Sequence, residues 1–167
     1  MSYQPTHDEL VIRAERWLRR QGCGVTIRDP FRAYTANGEL PDAIGWRDGL
    51  SILVECKVSR SDFQADKNKP FRMVPKNGMG DWRFYLSPPD VVRPDDLPPG
   101  WGLLWATPKV IRKVHGFPGN CMWWKERPFT GCKRSETMML VSALRRMEIR
   151  GHLREIYDGI TNDAGND

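Results

Sequence analysis

Two acidic residues and a lysine are spaced in a way that suits metal-assisted chemistry. Asp42 follows Pro41 at the start of one predicted strand, and Glu55 and Lys57 lie two residues apart on the next. Side chains alternate between the faces of a strand, so Glu55 and Lys57 should share one face. Two carboxylates can hold a hard divalent cation, and an adjacent ammonium can polarise a phosphate or orient a water. The other face of this strand should be buried and consists of Ile52, Val54, Cys56 and Val58.

The order of these residues resembles the motif of the PD-(D/E)XK nuclease superfamily, since Pro41-Asp42 is followed after 12 residues by Glu55-Cys56-Lys57. Members include restriction endonucleases, Holliday-junction resolvases and small repair and phage nucleases. The resemblance spans roughly residues 6 to 115. It implies an α/β fold with a restriction endonuclease-like core, in which helices flank a central mixed β-sheet. It also implies a magnesium ion, replaceable by manganese, that is held by Asp42, Glu55 and the backbone carbonyl of Cys56.

The first predicted helix supplies a further candidate. Thr6-His7-Asp8-Glu9 has the pattern of a capping box, which predicts a helix that begins just after Thr6 and ends at the glycines of 22–24. The resemblance implies that a glutamate on this helix helps to hold the metal or its water, and Glu15 is the residue that could match. The alternative is a surface ion pair between Glu15 and Arg19. The apolar stripe is Leu10, Val11, Ala14, Trp17 and Leu18, and the opposite face carries Arg13, Arg16, Arg19 and Arg20.

A basic stretch follows the candidate site directly. Ser61-Asp62-Phe63-Gln64 has a second capping-box pattern, which predicts a helix that stops before Pro70. A phosphate backbone that reaches the site would run along this stretch. The alternative is an ordinary solvated helix face. The candidate nucleic-acid-binding residues are Arg60, Gln64, Lys67, Lys69, Arg72 and Lys76.

The remaining pattern predicts one domain over residues 1–161 and a polar, flexible tail over 162–167. Strands are expected at 25–28, within 31–35, and at 41–46, 82–86, 101–106 and 109–114. A turn at 47–49 should join the strand of Asp42 to that of Glu55 in an antiparallel hairpin. A last helix is expected from Ser135 to about Arg150, with its core face formed by Leu140, Ala143, Leu144 and Met147.

Composition is compatible with a polyanionic partner. The 167 residues carry a formal net charge of +5, with a pI near 9.2. No apolar run approaches the ~20 residues that span a bilayer, and the N-terminus lacks the features of a signal peptide. We therefore expect a cytoplasmic protein that binds DNA and no membrane. A chain of this size would carry one active site, so cutting both strands together would favour a homodimer.

Zinc is not expected. Cys121, Cys132 and His115 have a spacing that matches no common zinc module, and Cys56 reads as a small core residue. We regard the cysteines as free thiols.

Together these features predict a metal-dependent deoxyribonuclease and favour an endonuclease. The predicted catalytic residues are Glu15, Asp42, Glu55 and Lys57. Lys57 would orient or deprotonate the attacking water, or offset negative charge in the transition state. Two alternatives stay open. One is a non-catalytic nucleic-acid-binding protein on the same fold, and the other is a hydrolase of RNA or small nucleotides.

Overall fold

The structure is a computed structural model that describes residues 3–160. Four α-helices and six strands lie in these residues. In chain order they are α1 (His7–Arg20), β1 (Val25–Arg28), β2 (Ala43–Arg47), β3 (Leu50–Cys56), α2 (Arg60–Asp66), α3 (Pro70–Met73), β4 (Trp82–Ser87), β5 (Gly102–Ala106), β6 (Ile111–His115) and α4 (Lys133–Ile149). Short 3-10 turns lie at Pro75–Asn77, Pro94–Asp96, Gly119–Cys121 and Leu153–Tyr157.

The six strands form one mixed sheet in the order β1-β2-β3-β4-β5-β6. Strands β1, β2 and β3 pair antiparallel, β3, β4 and β5 pair parallel, and β6 returns antiparallel beside β5. The chain crosses from β3 to β4 through α2 and α3, because parallel neighbours cannot be joined by a tight turn. The prediction of an α/β fold with a mixed sheet is confirmed.

Helix α1 covers one face of the sheet as its sequence predicts. The Thr6 hydroxyl accepts the Glu9 N–H at 3.2 Å, and the Glu9 carboxylate accepts the Thr6 N–H at 2.7 Å, so the capping box is present. The helix buries Leu10, Val11, Ala14, Trp17 and Leu18, the five residues of the predicted stripe. Together they pack against the alternate residues of β3 that include Ile52, Val54 and Cys56.

Strand β3 is buried on both faces, so the expectation of a single buried face was wrong. Its second face packs under Phe63 of α2 and Met79, which join Leu53 and Tyr85 in a second apolar cluster. A central strand of a sheet that is covered on both sides has no solvated face. Val58, which was expected to be buried, lies beyond the strand and is exposed.

Several predicted boundaries differ from those in the structure. The N-cap of α2 is Ser59, whose hydroxyl accepts the Asp62 N–H, rather than Ser61, and α2 ends at Asp66. Pro70 begins α3, because proline tolerates the first position of a helix. The segment 31–35 forms no strand, Asp42 directly precedes β2, and β6 begins at Ile111.

The predicted core face of α4 was wrong over the second half of the helix. Its buried residues are Ser135, Glu136 and Met139 in the first half of the helix, whereas Leu144 and Met147 are 50% and 40% exposed. Leu140 and Ala143 are half-buried. The helix therefore attaches to the rest of the protein through its N-terminal turns.

No helix within residues 3–160 is both long enough and apolar enough to cross a membrane. The predicted tail at 162–167 lies outside the described residues.

Candidate active site

Asp42 is fixed at the carboxyl end of β3. Residue 43 pairs with Val54 across the hairpin, which brings Asp42 beside the last residues of that strand. The Cys56 N–H donates to Asp42 Oδ2 at 2.8 Å, and His7 Nε2 in the first turn of α1 lies 3.3 Å from Asp42 Oδ1. The hydrogen bond to Asp42, offset in part by burial, raises the pKa of His7. Two elements therefore hold this carboxylate from opposite sides.

Glu55 is a buried carboxylate that lies close to two cations. It is 2% exposed, and within residues 3–160 it accepts no hydrogen bond of normal geometry. Its oxygens lie 3.5 Å from Lys57 Nζ and 3.1 Å from Arg72 Nη2, and that Arg72 nitrogen is itself buried without a well-aligned acceptor. Burial, followed by repulsion from Asp42, raises the pKa of Glu55 to about 7 in spite of Arg72 and Lys57.

Lys57 keeps its positive charge in this environment. Burial on its own would lower the pKa of Lys57, but Glu55, Asp66, Asp62 and Asp42 outweigh burial and raise it. Its Nζ lies 3.3 Å from Asp66 and 3.8 Å from Asp62. Of the roles left open for Lys57, orientation of a water or charge stabilisation fits a charged ammonium, whereas deprotonation of a water requires a neutral amine.

A buried ionic cluster surrounds Glu55 and Lys57 and was not predicted. Its members are Glu39, Glu55, Lys57, Asp66 and Arg72, and their side chains are at most 4% exposed. Arg72 Nε lies 3.0 Å from Asp66 Oδ2, and Arg72 Nη1 pairs with Glu39. Burial would raise the pKa of Asp66, but Arg72, Lys57 and Lys69 together lower it well below its usual range.

Tyr85 and Met79 complete the cluster with neutral donors. Tyr85, which pairs with Glu55 across β3 and β4, donates its hydroxyl to Asp66 Oδ2 at 2.8 Å. The Met79 N–H donates to Glu39 Oε2 at 2.6 Å. Glu39 and Asp66 are distant from Glu55 in sequence, so spacing could not have identified them. The available signal was Lys69 and Arg72, which lie three and six residues after Asp66.

The candidate nucleic-acid-binding residues fall into two groups. Arg72 is buried inside the ionic cluster, so the expectation that its guanidinium lines the approach to the site was wrong. The second group reaches the surface. Arg60 pairs with Asp96, Lys67 lies over the Phe63 ring at 4.6 Å, and Lys69 lies 2.7 Å from Asp66, while Gln64 and Lys76 are exposed.

Glu15 forms its hydrogen bonds with residues outside the candidate site. Its carboxylate accepts hydrogen bonds from Arg28 at 2.9 Å, Thr26 at 3.1 Å and Arg19 at 3.3 Å. Burial would raise the pKa of Glu15, but these donors lower it. The Arg19 pair that we gave as the alternative is therefore present, and no ion pair joins Glu15 to Lys57. His7 in the first turn of α1 contacts Asp42 instead. Its place at the start of the helix is the sequence signal that could have indicated this contact.

The donor set at Asp42 and Glu55 suits a hard cation that keeps part of its hydration shell. Within the described part of the chain, no three side chains from His, Cys, Asp and Glu group together as metal ligands. Magnesium, however, is commonly held by one or two carboxylates with water in its other positions. Asp42 and Glu55 supply two carboxylates next to the Cys56 backbone, and within residues 3–160 Glu55 accepts no hydrogen bond that a cation would have to displace. Asp42, Glu55 and the Cys56 carbonyl therefore fit the implied ion.

The zinc expectation stays a prediction. The Cys132 thiol donates to Ser135 Oγ at 3.4 Å at the start of α4, and His115 is exposed on β6. The side chain of Cys121 is outside the described part of the structure.

Comparison with known proteins adds information about the fold. The architecture defines an α/β protein built on a mixed six-stranded sheet. A solved structure of a protein of unknown function from Silicibacter pomeroyi superposes on it with a TM-score of 0.59 at 23% identity, covering 96% of this chain and 99% of that one. At this identity the similarity shows a shared fold. No protein-family model matches the chain, and no curated protein matches it.

Proposed function

We propose that this protein is a magnesium-dependent nuclease that hydrolyses phosphodiester bonds in DNA. One observation carries the proposal. The Asp42 carboxylate accepts the N–H of Cys56, the residue after Glu55, at 2.8 Å, and the Lys57 ammonium lies 3.5 Å from Glu55. The order helix, three-stranded antiparallel unit, helix and parallel strand, with both carboxylates at the end of the hairpin, supports a restriction endonuclease-like core.

Magnesium would be held by Asp42, Glu55 and the backbone carbonyl of Cys56, and manganese can replace it. When bound, the ion would supply a more acidic water as the nucleophile. The chain contributes the remaining electrostatics. Lys57, held between Glu55 and Asp66, presents a positive charge where negative charge develops on the phosphate oxygens. Tyr85 and Arg72 fix Asp66, which in turn fixes Lys57.

A non-catalytic DNA-binding protein would have little use for this arrangement. Burying a carboxylate without hydrogen bonds costs stability, and affinity for a phosphate backbone needs only exposed cations. The cost of burying Glu55 is understandable if a cation occupies the site during function. This argument favours catalysis over simple binding, and it does not discriminate DNA from RNA.

The experiment is a cleavage assay on four substrates: supercoiled plasmid, linear duplex, a four-way junction and single-stranded RNA. Each is incubated with magnesium, manganese or EDTA. We expect plasmid nicking or linearisation that needs the metal, which would identify an endonuclease. Asp42→Asn should lose this activity because it removes one of two anionic ligands.

Asp48→Asn is the matched control for Asp42→Asn. Asp48 lies in the β2–β3 turn of the same hairpin and has a side chain that is 78% exposed. It should cut like the wild type. Cleavage that survives in EDTA, or equal activity in Asp42→Asn and the wild type, would refute the proposal. Cleavage of RNA alone would move the assignment to a ribonuclease.

A further inference from the structure

A basic groove lies between α1 and the turn that joins β5 to β6. Its volume is about 470 Å³. Four cations line it, namely Arg13, Arg16, Arg20 and Lys109, against one carboxylate, Glu9, which is engaged in capping α1. Trp17 and Ile111, packed against the core, form part of its wall. None of the candidate nucleic-acid-binding residues lies in this groove.

Several basic residues of the protein are paired with carboxylates, whereas the cations of the groove are among those that are not. Arg19 and Arg28 pair with Glu15, Arg60 pairs with Asp96, and Arg72 is enclosed in the ionic cluster. Within residues 3–160, Arg16, Arg20 and Lys109 are exposed and form no ion pair. Arg13 donates only to the Tyr3 hydroxyl, at 2.6 Å. The residues 13, 16 and 20 follow one side of α1, because positions three and four apart are neighbours on a helix.

The groove lies on the α1 face of the sheet, opposite the face on which Glu55 and Lys57 pack, and the first turn of α1 links it to the candidate active site. Helix α1 begins at His7, which contacts Asp42, and runs away from it with the arginines along its length. With a rise of about 1.5 Å per residue, Arg16 and Arg20 lie about 13 and 20 Å along the axis from His7. Lys109 follows the carboxyl end of β5, where Leu104 is two strands, or about 10 Å, from Cys56.

From this charge, exposure and position, we infer that the α1 groove binds the sugar–phosphate backbone of the nucleic acid whose phosphodiester reaches the site. This inference rests on the proposed function and adds the path of the substrate. Duplex DNA advances about 3.4 Å per base pair, so 13–20 Å corresponds to about four to six base pairs from His7, which contacts Asp42. Arginine suits this role because its planar guanidinium binds phosphate oxygens in pairs.

The experiment measures duplex binding in EDTA, where no cleavage can interfere. Fluorescence anisotropy with a 30-base-pair duplex is recorded from 50 to 300 mM salt for the wild type and for Arg16→Gln/Arg20→Gln/Lys109→Gln. The matched control is Arg145→Gln/Arg150→Gln/Arg154→Gln, which removes the same charge from exposed positions on and after α4. Thermal unfolding of all three proteins should coincide, because the altered side chains are exposed.

We expect the groove variant to bind at least ~10-fold more weakly at 100 mM salt, with a log–log salt slope smaller by about 2 to 3, since each phosphate contact contributes about 0.9. The control should change the slope by less than about 1. Equal effects of the two triple variants, unchanged binding by the groove variant, or no duplex binding by the wild type would overturn the inference. Loss of binding to anionic phospholipid vesicles, with duplex binding unchanged, would assign the groove to a membrane surface instead.

The outcome separates this inference from the proposed function. A wild type that binds the duplex through the groove but cuts nothing with magnesium would refute the nuclease and keep the groove. If the wild type cuts DNA and the groove variant binds the duplex as tightly as the wild type, the nuclease proposal stands and the groove inference is refuted.

Discussion

Burial, followed by repulsion from Asp42, favours the protonated form of Glu55. The pKa of Glu55 is raised to about 7, whereas in an unfolded chain it lies near 4.3. Between these values the folded protein holds a proton that the unfolded chain has released. The unfolding free energy should therefore be highest below about pH 4.3 as far as Glu55 is concerned and should fall as pH rises towards 7.

The measurement is chemical denaturation in EDTA at several pH values from 5 to 8, for the wild type and for Glu55→Gln. We expect the wild type to lose on the order of 3 kcal/mol more than Glu55→Gln across this range, since each pKa unit corresponds to about 1.4 kcal/mol. The pKa of His7 is also raised, and both proteins retain His7, so the difference isolates Glu55. Parallel pH profiles would show that Glu55 is ionised in the folded protein without metal.

The sequence predicts the central residues of the site but not the residues that surround them. Asp42, Glu55 and Lys57 could be predicted to approach one another, because a hairpin and the alternation of one strand suffice to align them. The residues that surround these three could not be predicted. Glu39 and Asp66 reach the same site through a loop and a second helix, and the buried position of Arg72 depends on those two carboxylates. A cation in a basic stretch is expected to be solvated, because the sequence does not show which distant carboxylates it will contact.

At the scale of elements, α1 and the β2–β3 hairpin could be predicted well because their signals are local. A capping box, an apolar stripe at helical spacing and a short turn each determine structure over a few residues. Helix α4 shows the opposite case. Its apolar residues Leu144 and Met147 are exposed, while Glu136 is buried, because the rest of the protein covers only the first half of the helix, which periodicity does not indicate.

Glu136 attaches α4 to the sheet through hydrogen bonds. Glu136 Oε1 accepts the Ser51 hydroxyl at 2.6 Å and the Gly80 N–H at 2.9 Å, and Oε2 lies 3.0 Å from Lys133 Nζ. Asp81 joins the same network by accepting the Ser51 N–H at 2.8 Å. The N-terminal turns of α4 are therefore bound to β3 and to the residues that precede β4 by polar contacts, beside the apolar packing of Met139.

Glu136→Ala should lower the unfolding free energy by about 2 to 4 kcal/mol, because it leaves the Gly80 N–H buried without its acceptor and removes the nearer of the two acceptors of the Ser51 hydroxyl. Met147→Ala on the exposed half of the same helix should change it by less than about 0.5 kcal/mol. Urea denaturation of both variants checks this. A large loss with Met147→Ala would indicate that a further surface covers α4, and a negligible loss with Glu136→Ala would contradict the polar attachment.

In the molecule as a whole, the mixed sheet brings the carboxyl ends of β3, β4 and β5 to one edge, where the candidate site lies, and the α1 groove lies on the face of the sheet that α1 covers. The net charge of +5 suggested a polyanionic partner but not its location. In the structure several basic residues are paired with carboxylates, whereas Arg16, Arg20 and Lys109 of the groove form no ion pair within residues 3–160. The expectation of a homodimer stays a prediction, which light scattering with and without duplex can test.

The most direct test of the account separates the two roles in the site. Magnesium is titrated calorimetrically into the wild type, Asp42→Asn and Lys57→Ala, and the cleavage rate of each is measured beside it. We predict that Asp42→Asn loses both magnesium binding and cleavage. Lys57→Ala should lose cleavage while it binds magnesium as well as the wild type or slightly more tightly, because a positive charge next to the ion is gone. Thermal unfolding, with Lys57→Met as a second variant of similar length, shows whether the fold is intact. Cleavage by folded Lys57→Ala at the wild-type rate, or magnesium binding that survives in Asp42→Asn, would contradict the account.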